Sequence, residues 1–247
     1  MAQGAAPVKS LNIAARFCGP PQSANGGYFA GSVAVLAART VTVRLLKPPP
    51  LDTEFTVEES ADGTLRVLDG AEAIAEARAA RLDLDIRSVP DYLEAVEASR
   101  HYAGFRYHRF PTCFVCGTHR VRGDGLRIFA GPIAERGLVA APWVPDPSLD
   151  AGDGKVRAEF MSAALDCPGY YAVAPDDRMM LLAEVTAHVD RRVHIGESCT
   201  VTGWQISSSG RKHEAGTALF DGKGDLVGRA RALWIEPRAA LETAQSL

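Results

Sequence analysis

Nowhere does this chain carry the roughly 20 consecutive apolar residues that a membrane-spanning helix requires, so the sequence predicts no membrane association. Residues 1–10 also lack the basic start and apolar run of a secretory leader. Cysteine is scarce and odd in number: the five are Cys18, Cys113, Cys116, Cys167 and Cys199, without the spacing of a secreted disulfide framework. These absences point to a cytoplasmic protein with reduced thiols. Positive charge is not concentrated either. The net charge is −3 and the arginines are scattered through the second half, which leaves no basic field for nucleic acid or anionic lipid.

What is present is an ordinary globular composition, 47% hydrophobic and 23% charged in 247 residues. That length suits one large domain or two of about 120 residues. A faint self-similarity favours two. Ser23-Ala24-Asn25-Gly26-Gly27-Tyr28 finds an echo in Leu165-Asp166-Cys167-Pro168-Gly169-Tyr170, at an offset of 142, and Thr42 falls on Thr186 at an offset of 144. A near-constant offset suggests two related units fused in one chain. In this alignment Asp166 stands opposite Ala24, so only one copy carries an acid.

The periodicities sketch the units. Residues 11–17 read as a first strand, and 25–38 as a helix with small residues nearly all round. Strands are expected at 40–46, 54–59 and 65–68, the last two separated by the turn signal Asp62-Gly63. Residues 71–84 have helical propensity, but the repeat sets 77–84 opposite a strand and overrides it there. A helix over 90–102, with Pro90 in its first turn, leads into a connector. The second unit offers strands at 125–130 and 138–143, a helix over 156–173, and strands at 180–190, 198–207, 214–220 and 226–235. The units divide as 10–88 and 123–237, joined by 89–122. A curved antiparallel sheet wrapped around one central helix satisfies this order of elements.

The sequence Cys113-Phe114-Val115-Cys116-Gly117, followed by Gly125-Leu126-Arg127-Ile128-Phe129, resembles the opening of hotdog-fold thioesterases of the PaaI-like group. Asn25-Gly26-Gly27 resembles the turn that begins the hotdog helix, and residues 180–235 resemble the second half of double-hotdog acyl-CoA thioesterases. The resemblance implies an α+β double hotdog, with two long helices each wrapped by a curved antiparallel sheet. It implies hydrolysis of an acyl-CoA or acyl-carrier thioester, with the acyl chain between the two helices. No cofactor is implied beyond the CoA of the substrate, and a homo-oligomer is expected. Carried over to this chain, Asp166 takes the place of the acid and Asn25 that of the turn residue that polarises the carbonyl. Gly26, Gly27, Tyr28, Gly169, Tyr170 and Thr186 would bind substrate, and His188 would line the cleft. The related enzymes pair their Asp with a Gln and a Thr. Here the last strand, Arg229-Ala230-Arg231-Ala232-Leu233, offers no Gln, and Thr186 is the nearest hydroxyl.

Read as chemistry, a carboxylate can deprotonate water or attack directly, and helix N-terminal N–H groups can receive an oxyanion. Asp166 and Asn25 are equally good N-caps. A non-catalytic ligand-binding protein and an enoyl-thioester hydratase are the rival readings, but no histidine stands at either helix start. Cys113-x-x-Cys116 lacks the second ligand pair of a structural zinc site, so no metal is expected. Cys167 as nucleophile would need a base such as His188 or His194. Arg191, Arg192, Arg229 and Arg231 suit either CoA phosphates or a solvated sheet face.

Overall fold

The computed structural model describes residues 9–175 and 178–238. Among the described residues, eleven strands form one antiparallel sheet. The first unit contributes β1 (Lys9–Asn12), β2 (Val41–Leu45), β3 (Glu54–Glu59), β4 (Leu65–Asp69) and β5 (Glu72–Ala79). The second contributes β6 (Gly131–Ile133), β7 (Leu138–Trp143), β8 (Leu181–Val189), β9 (Cys199–Ser209), β10 (Lys212–Phe220) and β11 (Leu226–Ile235). Alternation places Val41 and Val43 of β2 and Phe55 and Val57 of β3 in the core, with polar neighbours turned away.

Strand order is β1-β3-β4-β5-β2-β8-β11-β10-β9-β7-β6. Read outward from the centre, β2-β5-β4-β3-β1 in one half matches β8-β11-β10-β9-β7 in the other. The repeat seen in the sequence is thus a repeat of topology. At the seam Thr42 pairs directly with Thr186 and Val43 with Val185, and the two threonine hydroxyls lie 2.6 Å apart. Thr186 therefore belongs to the junction of the halves. Thr186→Val should cost about 1 kcal/mol in denaturant unfolding, the value of one hydrogen bond, and leave any turnover unchanged.

Each half lays a helix against its sheet. α1 (Gly26–Ala37) begins at Asn25, whose side chain accepts the Tyr28 N–H, and ends at Ala38 in the left-handed conformation. Its counterpart is broken in two: α3 (Ala158–Ala164) and α4 (Cys167–Val173). Pro168 is the cause, since it has no N–H and its ring crowds the carbonyl four residues back. The chain tightens before it, with Leu165 N–H bonding Ser162 O and Asp166 N–H bonding Ala163 O. The freed Leu165 carbonyl accepts the Thr217 hydroxyl at 2.8 Å. The connector supplies α2 (Tyr92–Arg100), capped by Asp91 and packed with Ala95 and Ala98 in a second apolar cluster containing Trp204 and Phe220.

Several expectations are corrected. The first strand covers 9–12, and residues 15–17 form a 3-10 turn instead. Pro90 precedes the cap of α2 rather than sitting in its first turn. The fifth strand starts at Glu72, inside the stretch with helical propensity, because it is held between β4 and β2. Residues 125–130 are not a strand: Leu126 and Ile128 N–H bond the carbonyls of Phe114 and Val115, and pairing with β7 begins only at Gly131. The two helices leave no cleft between them. α1 and α3 run antiparallel in contact, such that a Cβ on Gly27 would sit 2.5 Å from Asp166 Cβ and one on Gly31 2.6 Å from Ser162 Cβ.

Candidate functional site

The antiparallel packing of α1 on α3 decides where the acid goes. Asp166 occupies the break between α3 and α4, and its side chain caps neither. It reaches across to the start of α1. One carboxylate oxygen, Oδ2, accepts Asn25 Nδ2–H at 2.6 Å and the Gly27 N–H at 3.2 Å. The other, Oδ1, is buried and has no hydrogen-bond partner among the described residues. The residue is only 4% exposed. Burial pushes its carboxyl up from 3.8 to about 7, opposed by the Gly27 N–H, reinforced by the negative charge of Cys113 and opposed again by the Asn25 amide.

This geometry also corrects the sequence repeat. The helices begin at Gly26 and Ala158, 132 residues apart, so Gly169 is not the counterpart of Gly27, nor Asp166 of Ala24. Counted from the helix starts, Asp166 matches Ala34, and the cap Asn25 matches Arg157, which makes no side-chain cap. One half supplies the capped helix start and the other the acid.

Beside this pair lies a cavity of about 450 Å³. Its walls come from Ser23 to Gly26 at the start of α1, Leu45 to Pro49 after β2, and His108 to Phe110 of the connector. Asp166 lines it from the helix break, Cys167, Tyr170 and Tyr171 from α4, Met180 to Ala183 from the start of β8 and the residue before it, and Trp234 from β11. Tyr170 packs edge-on to Trp234, ring centroids 5.6 Å apart. Lys47, Arg109, Arg211 and Arg238 also border the cavity, while Asp166 is the one carboxylate that lines it among the described residues.

Of the residues singled out in the sequence, Asn25, Gly26, Gly27, Asp166 and Tyr170 meet here. Gly169 does not offer its N–H, which bonds the Asp166 carbonyl at 3.0 Å. It instead gives room to Trp234 and Thr217. Tyr28 is in the core, stacked on Phe17 at 4.2 Å. His188 bonds Thr40 at 2.7 Å beside Asp190, at a smaller depression away from the cavity, so it does not line the cleft and does not stand beside Cys167 as a base. Arg191, Arg192, Arg229 and Arg231 pair with Asp221, Asp153, Asp190 and Glu214 respectively, as a solvated sheet face would.

Sequence reasoning missed the neighbours that the connector contributes. His108 lines the cavity, but the Phe110 N–H donates to its Nδ1 and its Nε2–H donates to the Cys116 carbonyl at 3.0 Å, so both ring nitrogens are engaged. Tyr102 and Tyr171 share a 2.7 Å hydroxyl contact, and burial pushes both phenols far up. Cys113 and Cys116, visible as a pair in the sequence, are joined by Cys167 from α4. The only forewarning of that third sulfur was its position next to Asp166.

No family model matches this sequence, and no curated protein matches it. Solved structures do. An acyl-CoA thioesterase II, TesB2, of Mycobacterium marinum superposes with a TM-score of 0.59 over 94% of each chain at 12% identity. The tesB protein of Mycobacterium avium subspecies paratuberculosis gives 0.58 at 12% identity, covering 86% of this chain and 87% of that one. A protein with a hot dog fold from Alicyclobacillus acidocaldarius gives 0.55 at 11% identity, over 96% and 95%. The chain is a double hotdog. In this double hotdog the central helices are α1 and the broken α3–α4, and the β2–β8 seam joins the two halves of the one sheet.

Proposed function

We propose that this double hotdog hydrolyses acyl thioesters, with Asp166 as general base. The observation that carries the reading is the divided carboxylate: one oxygen held by Asn25 and Gly27, the other buried without a partner among the described residues, beside an apolar cavity. The free oxygen is the acceptor a water entering from the cavity would meet. A carboxyl raised to about 7 is well placed to take a proton near neutral pH. The water oxygen bonds the acyl carbon, its proton passes to Asp166, and the C–S bond then breaks. The sulfur leaves as a thiol once Asp166 returns the proton.

The start of α1 supports the charge that develops on the carbonyl oxygen. The Gly27 N–H is committed to Asp166 and the Tyr28 N–H to Asn25. Gly26, the first residue of the helix, lines the cavity, and the N–H of a first residue has no partner within its own helix. Tyr170, Met180, Leu182 and Trp234 offer an apolar bed for the acyl group. The cationic rim of Lys47, Arg109, Arg211 and Arg238 suits the phosphates of CoA.

The test is release of free thiol from a panel of acyl-CoAs of different chain lengths. Binding of acyl-CoA without turnover of any member would replace this reading with a ligand-binding one. Asn25→Ala removes both a helix cap and one of the two donors on Asp166. It should cost about 1 kcal/mol in unfolding and lower kcat roughly 10-fold or more, measured in the same thiol-release assay.

A further inference from the structure

Three sulfur atoms close on one another at the wall of the cavity, and the proposed hydrolysis makes no use of them. Cys113 Sγ lies 3.7 Å from Cys167 Sγ, and with Cys116 Sγ they form a group whose members are all within 4.8 Å. All three residues are buried, and all three line the cavity. Two thiolates on one zinc ion, each at about 2.3 Å with tetrahedral angles, stand about 3.8 Å apart. The Cys113–Cys167 separation is already that of one edge of such a tetrahedron.

The local backbone is built for thiolate rather than thiol. The Val115 and Cys116 N–H groups near the Cys113 side chain favour its charged form. The turn that points them there closes through a Gly117 N–H bond to the Cys113 carbonyl at 2.9 Å. A Cβ on Gly117 would fall 2.4 Å from that carbonyl oxygen and 2.6 Å from that of Pro111, so only glycine permits the turn. Hydrogen bonds from the Cys116 and Cys167 thiols, joined by these N–H groups, hold Cys113 well below the usual thiol range. Burial pushes Cys116 up, and the bond to Cys113 pushes Cys167 up.

We propose that Cys113, Cys116 and Cys167 bind one zinc ion, with the fourth coordination position open to the cavity. The chemistry is ligand exchange without oxidation: water leaves the ion as each Zn–S bond forms, and each cysteine that binds as a thiol gives its proton to solvent. Three soft, charged donors around a small cavity select a d¹⁰ cation over magnesium or calcium, which prefer oxygen. A bound ion would tie the connector to α4 immediately beside Asp166, where the Asn25 amide nitrogen lies 4.0 Å from both the Cys113 and the Cys167 sulfur.

The experiment uses the full chain, reduced and stripped with a chelator, then titrated with cobalt(II) alone as the optical probe. One equivalent per chain should bring in thiolate-to-cobalt charge-transfer absorption and the visible bands of tetrahedral cobalt, both abolished by added zinc. Cys167→Ser and Cys116→Ser should each weaken uptake about 100-fold or more, whereas Cys18→Ser and Cys199→Ser should leave it intact. Far-UV circular dichroism establishes that each variant is folded, and either of the first two carries the test should the other fail to fold. Absence of the charge-transfer band in the reduced wild type would overturn the proposal. So would a band that survives in folded Cys167→Ser or Cys116→Ser. The readout involves no turnover, so it stands or falls apart from the hydrolase reading.

Discussion

Asp166→Asn is expected to lower thioester hydrolysis by about 10²-fold or more while making the protein harder to unfold above pH 7. The amide oxygen can still accept the Asn25 and Gly27 N–H groups that now meet Oδ2, so the packing survives while the base is lost. The stability gain follows from the direction of the shift. The folded chain keeps the Asp166 proton up to about pH 7, whereas an unperturbed carboxyl releases it near 3.8. Between those values the folded state binds more protons than the unfolded state, so stability falls as pH rises, and the whole penalty is present above 7. Three pK units set a ceiling of about 4 kcal/mol, and water admitted from the cavity offsets part of it, which leaves about 2 kcal/mol. Denaturant unfolding of chelator-treated protein at pH 5 and pH 8 measures this. The wild type should lose stability between the two and the variant should not. In the same preparation kcat of the wild type should climb with pH and level off above about 7. An Asn variant that still turns over, or whose stability follows the wild type across this range, would remove Asp166 from the site.

Gly27→Ala is the second large effect, and its sign opposes propensity. In an exposed helix Gly to Ala stabilises by about 1 kcal/mol. Here the new methyl would stand 2.5 Å from Asp166 Cβ and 3.0 Å from the Ser162 carbonyl. Overpacking of this kind costs about 1–3 kcal/mol, and relief requires α1 and α3 to part at the acid. Stability should fall by about 2 kcal/mol, and kcat should fall with it even where the protein remains folded. Gly31→Ala separates the two consequences. Its methyl would meet Ser162 Cβ at 2.6 Å and Glu159 Cα at 3.0 Å, one turn away from Asp166. That variant should lose similar stability and keep most of its turnover. Thermal unfolding and thiol release on both proteins decide the matter, and a Gly27→Ala variant of full stability and unchanged thiol release would mean the helices are not held at this distance.

Much of the fold was legible because burial and turn chemistry act locally. The alternation in β2 and β3, the Asp62-Gly63 turn with Gly63 in the left-handed region, and the Asn25 cap can each be read from a few neighbouring residues. The failures share a different cause. Residues 72–79 favour helix by composition and become strand only because β4 and β2 flank them. Pro168 stood in plain view, yet the expected helix ran through it. The site was half legible. Asn25 and Asp166 were recognisable as residue types at helix boundaries, but their hydrogen bond spans 141 positions and depends on the antiparallel crossing of α1 and α3. The alignment that paired Gly27 with Gly169 matched letters rather than helix starts, and so took Gly169 for a donor. The three sulfurs were illegible for the same reason, since Cys167 meets Cys113 from 54 residues away.

The helix cap comes from the first half of the chain and the acid from the second, and this division has a hereditary consequence. In a symmetric pair of identical single hotdogs every substitution strikes two pockets at once, so a change that helps one role must be tolerated in the other. Here a change at Ala34 leaves Asp166 alone, and a change at Arg157 leaves Asn25 alone. Each half can drift or specialise without being copied into its twin, and a single inherited substitution alters one pocket only.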